Sequence, residues 1–235
     1  MKNLKRYIPL SIAITGILIF IIWKGFSYFG NNNDNEDVAN QIDKMFTNVS
    51  TNKISFHEKE KLADAVNKAK ELLDYDPIND VAVDLAIKYI NPNKKITDIP
   101  VNYKKIAFRN LVDAIRYDYS TDLDEIIERS KERVQYLNNV LKVAELKYGV
   151  VVTEGEVNEY IKETIHPFDD DLLNAYIETL GISKEQFNFI FDRDFYILDV
   201  LYNKLVDKLL EVHSNESFHN ITEIFKEEVK NLNQE

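Results

Sequence analysis

The sequence predicts an all-α protein in which one N-terminal transmembrane helix precedes a multi-helix ectodomain. The chain of 235 residues contains only 6 Gly and 5 Pro, and sheet proteins use these residues at their many turns. Beyond the N-terminal region, apolar residues recur at helical spacing, with no sustained alternation of the strand type. Since 45% of the residues are hydrophobic and 11% are aromatic, the helices can bury a substantial core.

Residues 1–29 are predicted to form the membrane anchor. The basic residues Lys2, Lys5 and Arg6 precede an apolar run over 7–23, and a bilayer core requires about 20 such residues. Bulky aromatic side chains occupy the exit region 25–30, where cleavage of a signal peptide needs small residues. An uncleaved anchor is therefore favoured over a cleaved signal peptide. Because the positive charges precede the anchor, we expect a single-pass protein of the cell membrane with its C-terminal domain outside the cytoplasm.

The remainder is expected to comprise a polar spacer leading into a first helix (30–52), an N-terminal helical lobe (53–120), a chaperone-like domain (121–212) and a C-terminal docking helix (213–235). Three capping boxes mark helix starts, at Ser55–Glu58, Thr153–Glu156 and Ser183–Gln186. Gly149 and Gly181 are suitable left-handed helix ends. The longest predicted helices run from Asp122 to about Lys147 and over 184–211.

Charge and cysteine usage exclude several kinds of partner and chemistry. Four of the 29 basic residues, and none of the 40 acidic ones, lie in 1–30, so the rest of the chain has a net charge of −15. Phosphate backbones repel such a domain, so no nucleic-acid partner is expected. The absence of cysteine removes disulfides, reactive thiols and the attachment site of a lipoprotein.

No residue pattern indicates catalysis, a cofactor or a bound metal. His57, His166, His213 and His219 lack the spacing of a zinc site and are interpreted as surface residues. The acidic run 169–171 is interpreted as helix capping, because calcium-loop spacing is missing. The sequence also contains no phosphate-binding glycine loop and no nucleophile elbow. We therefore expect a protein that is not an enzyme.

The predicted helix 184–211 is apolar on two faces. Its main face carries Phe187, Ile190, Phe191, Ile197, Leu198, Leu201, Leu205 and Leu209. Phe189, Tyr196 and Val200 lie on the opposite face and are the candidate client-binding residues. Two interpretations remain open: these three form an exposed binding surface, or segment 38–117 packs over them. Asp194 on the main face indicates either a structural ion pair or a polar break in a groove.

The segment from about Asp122 to Glu211 resembles the N-terminal chaperone domain of SurA/PrsA-type extracytoplasmic foldases. The similarity rests on residues 144–150 (Ala-Glu-Leu-Lys-Tyr-Gly-Val), the capping box with its flanking valines over 152–157, and residues 180–187 (Leu-Gly-Ile-Ser-Lys-Glu-Gln-Phe). The resemblance implies that the C-terminal helix docks back onto this domain. Many such foldases carry a parvulin-type prolyl isomerase domain before that helix, but 212–217 is too short to hold one.

The resemblance implies a membrane-anchored, ATP-independent, extracytoplasmic chaperone-like protein that binds unfolded or exported polypeptides. It would also suggest a prolyl isomerase label, which the missing domain opposes. The alternative is a non-catalytic helical scaffold that recruits one specific partner in a membrane complex. The identity of the client, the oligomeric state and the independence of 53–120 are left open by the sequence.

Overall fold

The structure is a computed structural model that describes residues 55–82, 91–119 and 122–232. The predicted anchor (1–29) and the spacer (30–52) lie outside these ranges. Regular structure in the described ranges is helical throughout, with one isolated β-bridge, so the all-α prediction is confirmed for this part of the chain. None of the described helices combines the length and the apolar character needed to cross a bilayer.

The described helices follow one another with short connections. In chain order they are α1 (Phe56–Leu73), α2 (Pro77–Ala82), α3 (Tyr103–Arg116), α4 (Leu123–Tyr148), α5 (Glu154–Tyr160), a first π-helical turn (Ile161–Ile165), α6 (Asp171–Leu180), α7 (Lys184–Gln186), a second π-helical turn (Phe187–Phe191), α8 (Arg193–Val212) and α9 (Phe218–Asn231).

The helix ends are those that the capping residues predict. Reciprocal capping boxes begin α1 at Ser55, α5 at Thr153 and α7 at Ser183. In each capping box, side-chain oxygens accept from two backbone N–H groups that have no partner within the helix. Gly149 (φ 65°) and Gly181 (φ 75°) end α4 and α6 in the left-handed conformation, where a glycine has no steric cost.

The predicted continuous helix over 184–211 is interrupted in the structure. One turn of α7 passes into the second π-helical turn, and Asp192 (φ −100°, ψ 8°) separates that turn from α8. A π-helical turn takes more residues than an α-helical one and therefore rotates every later side chain relative to a regular helix. Uniform helical periodicity cannot detect such an insertion, which is why the sequence predicts one helix here.

One hydrophobic core joins the two ranges that the sequence analysis separated at residue 120. The described residues, from Ser55 to Leu232, belong to a single compact unit. The core includes Leu62 and Val66 of α1, Phe108 of α3, and Phe187 and Phe191 of the second π-helical turn. Helices α1, α3, α4 and α6 pack around these side chains. The N-terminal helices therefore share their core with the C-terminal half.

The segment 91–99 makes a short two-stranded contact with the residues before α5. Lys95 and Thr153 form an antiparallel bridge, and Ile96 N–H donates to the Val152 carbonyl at 2.9 Å. Gly155 N–H donates to the Pro92 carbonyl at 2.8 Å. A Cβ at position 155 would lie 2.8 Å from that same oxygen, so this approach requires glycine.

Helix α9 packs on α4 and α8. Its buried face consists of Ile221, Phe225 and Val229. The Phe225 ring lies 6.0 Å from the Tyr148 ring, and the Tyr148 hydroxyl donates to Glu228 at 2.7 Å. Apolar contact and one charge-assisted hydrogen bond therefore fix α9 near the C-terminal end of α4.

Candidate functional site

The three predicted client-binding residues lie in the interior of the structure. Phe189 is 9% exposed, Tyr196 9% and Val200 8%. Helix α5 and the first π-helical turn, residues Glu154–Ile165, together form a segment here called the cover, which packs on this side of α8. Tyr160, at the end of α5, has its ring 6.4 Å from the Tyr196 ring. An open surface at the three residues, as the sequence analysis offered, is thus not formed.

Helices α1 and α3 pack on the other face of this region. Residues 38–54 of the segment expected to cover the second stripe lie outside the described ranges. The Phe108 ring of α3 meets the Phe191 ring edge-on at 6.3 Å. Phe187 and Phe191 belong to the same core cluster as the side chains of α1 and α3. The second π-helical turn therefore contacts the N-terminal helices, whereas α8 packs on α4 and α9 as well as on the cover. These contacts on more than one side explain why the sequence is apolar on two faces.

Polar bonds attach the cover to α8. The Arg193 guanidinium donates to Glu154 at 2.5 Å and to the side-chain oxygen of Asn158 at 2.8 Å. Lys204 donates to Glu156 at 2.5 Å. Arg193 is 2% exposed, so its charge requires the Glu154 carboxylate as a partner. The first turn of the cover is thereby held by two cation–carboxylate pairs.

The far end of the cover is held less completely. The Tyr160 hydroxyl donates to Asp199 Oδ2 at 3.3 Å, whereas Asp199 Oδ1 is buried without a hydrogen-bond partner. Burial raises the pKa of Asp199 to about 7, although the Tyr160 hydrogen bond opposes this shift. An Asn188–His166 contact of 3.3 Å lies at the end of the π-helical turn. Asp199 therefore lies in a partly satisfied polar cluster, and burial gives its carboxyl group a pKa near neutral.

Asp194, which the sequence left open, forms a buried ion-pair network with α3. Arg109 donates to both of its carboxylate oxygens, at 2.6 and 2.9 Å, and also to Asp192 at 2.7 Å. The Lys105 ammonium lies 2.9 Å from Asp194. Two cations thus face two carboxylates, and Asp194 is a structural ion-pair residue here.

The interruption before α8 explains why two cations are needed at this point. Lys105 and Arg109 are one helical turn apart on α3 and lie on the same face. Lys105 donates to the Ile190 carbonyl at 3.3 Å and Arg109 to the Phe191 carbonyl at 2.5 Å. These carbonyls lie at the end of the second π-helical turn, where backbone acceptors lose helical donors. The network therefore satisfies the broken helix as well as the carboxylates.

Burial and charge oppose each other in this network. Burial alone would raise the pKa of Asp194, but the charges of Arg109 and Lys105 outweigh it and lower that pKa to about 2. Burial raises the pKa of Asp192 above its usual value and lowers that of Lys105. Asp194 is therefore the carboxylate that stays ionised most strongly.

One end of the α1–α3 pair exposes three aromatic side chains. Phe56 is 77% exposed, Tyr119 64% and Tyr117 52%; these residues are here called the aromatic end. The helices are antiparallel, since Lys61 near the start of α1 pairs with Asp118, just beyond the end of α3, at 3.4 Å. The Tyr117 and Tyr119 rings are 5.9 Å apart.

Local backbone geometry presents these two tyrosines. Asp118 adopts a left-handed conformation (φ 55°), and Tyr119 N–H donates back to the Ala114 carbonyl at 2.9 Å. The left-handed residue reverses the chain directly after α3. The Arg116 guanidinium lies 5.0 Å from the Tyr117 ring, which adds a cation beside the exposed aromatic surface.

The four histidines and the acidic run 169–171, considered above as possible metal ligands, are exposed or have other contacts. His213 contacts the Tyr148 hydroxyl at 3.2 Å, while His57, His166 and His219 are exposed. In the acidic run 169–171, Asp170 caps α6 by accepting from the N–H groups of Leu172 and Leu173. In the part of the chain that the structure describes, no three His, Cys, Asp or Glu side chains are grouped so that they could hold a metal ion.

A cavity of about 200 Å³ lies beside the 91–99 segment. Its lining comes from 95–97, from α4 and from 150–152, and Lys95 pairs with Glu145 at its rim. Sites for small molecules typically enclose about 300–1,000 Å³. The aromatic end is therefore a better candidate for binding than this cavity.

Comparisons with protein-family models, with curated proteins and with solved structures each found no match to this chain. The similarity to SurA/PrsA-type foldases stays a prediction from the motifs, and the functional argument depends on the residues themselves.

Proposed function

We propose that this chain is a membrane-anchored, non-enzymatic, extracytoplasmic protein that binds unfolded or exported polypeptides, in the manner of an ATP-independent chaperone. The observation that carries the proposal is the aromatic end, where Phe56, Tyr117 and Tyr119 are each more than half exposed. Grouped exposed aromatic side chains are typical of protein-binding surfaces. The predicted anchor and the SurA-like motifs agree with this role.

The chemistry of the aromatic end suits unfolded polypeptides. Aromatic rings bind apolar side chains of many shapes with little loss of their own conformational entropy. Arg116 and Lys61 add hydrogen-bond donors at the edge, and client carbonyls can accept from them. The acidic balance of the chain, with a net charge of −11, favours solubility of a complex with an aggregating client.

An aggregation assay tests this function directly. The full-length protein in detergent should slow the aggregation of thermally unfolded citrate synthase without nucleotide. The variant Phe56→Ser/Tyr117→Ser/Tyr119→Ser should lose most of this activity while keeping its thermal unfolding midpoint. The matched control Leu146→Ser/Leu210→Ser/Val212→Ser removes other exposed apolar side chains, which are 73%, 45% and 59% exposed, and should retain activity. Equal activity of both variants would refute the assignment to the aromatic end.

The anchor and its orientation require a separate experiment. Protease added outside intact cells should digest the C-terminal domain, and the full-length chain should remain in the membrane fraction. Protection of that domain, or release of a shortened soluble form, would contradict the proposed topology.

The second candidate function is a scaffold that recruits one specific partner. The observation that favours it is the small extent of the aromatic end, since three side chains suffice for a central hot spot but offer little length for an extended client. Proteins that co-purify with the anchored chain distinguish the two functions. Many unrelated exported chains would support the chaperone, whereas one stoichiometric partner would support the scaffold.

A further inference from the structure

The cover lies over an apolar surface, yet few of its own side chains are buried. Of its twelve residues, only Glu154, Val157 and Ile161 are buried. By comparison, α8 buries ten of its 20 residues. Beneath the cover lie the aromatic rings of Phe189 and Tyr196. A segment with few apolar contacts is expected to open before the core of the domain unfolds.

We propose that the cover is a strap that opens at its π-helical end in the folded protein and then presents Phe189, Tyr196 and Val200 to an apolar segment of an unfolded polypeptide. These three residues would then form a second, concealed binding surface. That its occupant is an unfolded polypeptide rests on the proposed function. The opening itself does not depend on that function.

The attachments of the strap differ between its two ends. At the start, Glu154 pairs with the buried Arg193 at 2.5 Å, and Gly155 N–H donates to Pro92. At the other end, the Tyr160–Asp199 hydrogen bond is long at 3.3 Å, and one oxygen of Asp199 has no partner. Pro167 follows the π-helical turn and lacks the N–H that would continue it. The start of α5 is therefore the fixed end, and the π-helical turn is the end that opens.

Opening would expose groups that suit a polypeptide. The rings of Phe189 and Tyr196 would receive apolar side chains. Asn188 would lose its contact with His166, and Asp199 would lose the hydrogen bond of Tyr160. A backbone carbonyl of an extended client can accept from the Asn188 amide, and a backbone N–H can donate to Asp199, so both bonds can be replaced. A client would thereby satisfy the polar atoms that opening leaves unpaired.

Hydrogen exchange of the full-length protein in detergent tests the opening. We expect the amides of 160–165 to exchange about 100-fold or more faster than those of α4 and α8. Because the opening is local, low concentrations of urea should not accelerate this exchange. Exchange of the cover only together with α8, with the same urea dependence, would overturn the proposal.

A pair of tyrosine variants shows whether the weak end controls the opening. Tyr160→Phe removes the hydroxyl that holds Asp199 and should accelerate exchange over 160–165 by about 2- to 10-fold. Tyr148→Phe is the matched control, because it removes a hydroxyl hydrogen bond to Glu228 on the far side of α4, and it should leave the cover unchanged. Equal effects of both variants on the cover would refute a local strap.

Adding a client separates this proposal from the proposed function. Reduced and alkylated lysozyme, a permanently unfolded chain, should accelerate exchange of 160–165 because it competes with the cover for the concealed surface. The same acceleration is expected in the variant Phe56→Ser/Tyr117→Ser/Tyr119→Ser. If lysozyme binds but the exchange of 160–165 stays the same, the concealed surface is refuted and the function stands. If lysozyme does not bind at all, the binding of unfolded polypeptides is refuted at both surfaces, whereas the opening is still decided by the hydrogen exchange of 160–165.

Discussion

Arg109→Met removes the central cation of the buried network and leaves two carboxylates with Lys105 alone. Breaking a buried ion pair by removing one partner costs about 3–5 kcal/mol, because a buried charge loses its compensation. Arg109 also donates to the Phe191 carbonyl and lies 4.9 Å from the Phe191 ring. Since these contributions are not additive, we expect a loss of about 4 kcal/mol in the free energy of unfolding. Urea unfolding followed by circular dichroism measures it.

The double variant Arg109→Met/Asp194→Leu separates charge imbalance from lost packing. It leaves Lys105 opposite Asp192, so the buried charges balance again, and its destabilisation should be smaller than the sum of the single variants by about 0.5–3 kcal/mol. Arg129→Met, which removes an exposed cation of α4 that pairs with Glu125, should change stability by less than about 1 kcal/mol. A similarly small effect of Arg109→Met would refute the argument that the network joins α3 to α8.

The pH dependence of unfolding provides a second measurement of the same network. The pKa of Asp194 is lowered from 3.8 to about 2 in the folded protein. Its contribution to stability is therefore present above the unfolded pKa and is lost as the pH falls through the folded pKa. This difference corresponds to about 2 kcal/mol. In Arg109→Met the acid limb of the stability curve between about pH 4 and pH 2 should become shallower.

Three further predictions test other parts of the structure. Asp199→Asn should be more stable than the natural protein above pH 7 and about equally stable near pH 4. Burial raises the pKa of Asp199 from 3.8 to about 7, so ionisation in the natural protein costs stability as the pH rises through this window, by up to about 4 kcal/mol. Urea unfolding at several pH values measures the difference. Gly155→Ala should lower the free energy of unfolding by about 1–3 kcal/mol, since its Cβ meets the Pro92 carbonyl at 2.8 Å; a gain in stability would contradict the close approach. The triple variant Phe189→Ser/Tyr196→Ser/Val200→Ser should lose cooperative thermal unfolding, because each large buried side chain removed costs about 2–5 kcal/mol, and a shift of only a few degrees would show that the stripe is exposed.

Local sequence signals predicted the helix ends correctly. The capping boxes at Ser55, Thr153 and Ser183 each involve side chains three residues apart, so neighbouring residues alone determine them. Gly149 and Gly181 act as predicted for the same reason.

The buried network and the π-helical turns were not predictable from local patterns. Arg109 and Asp194 are 85 residues apart, and their pairing depends on how α3 packs against α8. Lys105 and Arg109 on one face of α3, together with Asp192 and Asp194, were a usable signal, since buried cations require carboxylates. The burial of Phe189, Tyr196 and Val200 depends on α5, whose position the sequence pattern does not determine.

The two faces of α8 are stabilised by different interactions, and this difference connects stability with the proposed binding. One face packs against α4 and α9, and a charge-balanced network with α3 holds the beginning of the helix. The other face lies under a short cover that contributes two buried apolar side chains and whose weaker end depends on Asp199. Burial raises the pKa of Asp199, so ionisation disfavours the burial of this side chain. Because the cover and the core depend on different residues, we expect the cover to open, and the binding surface to be exposed, while the domain stays folded.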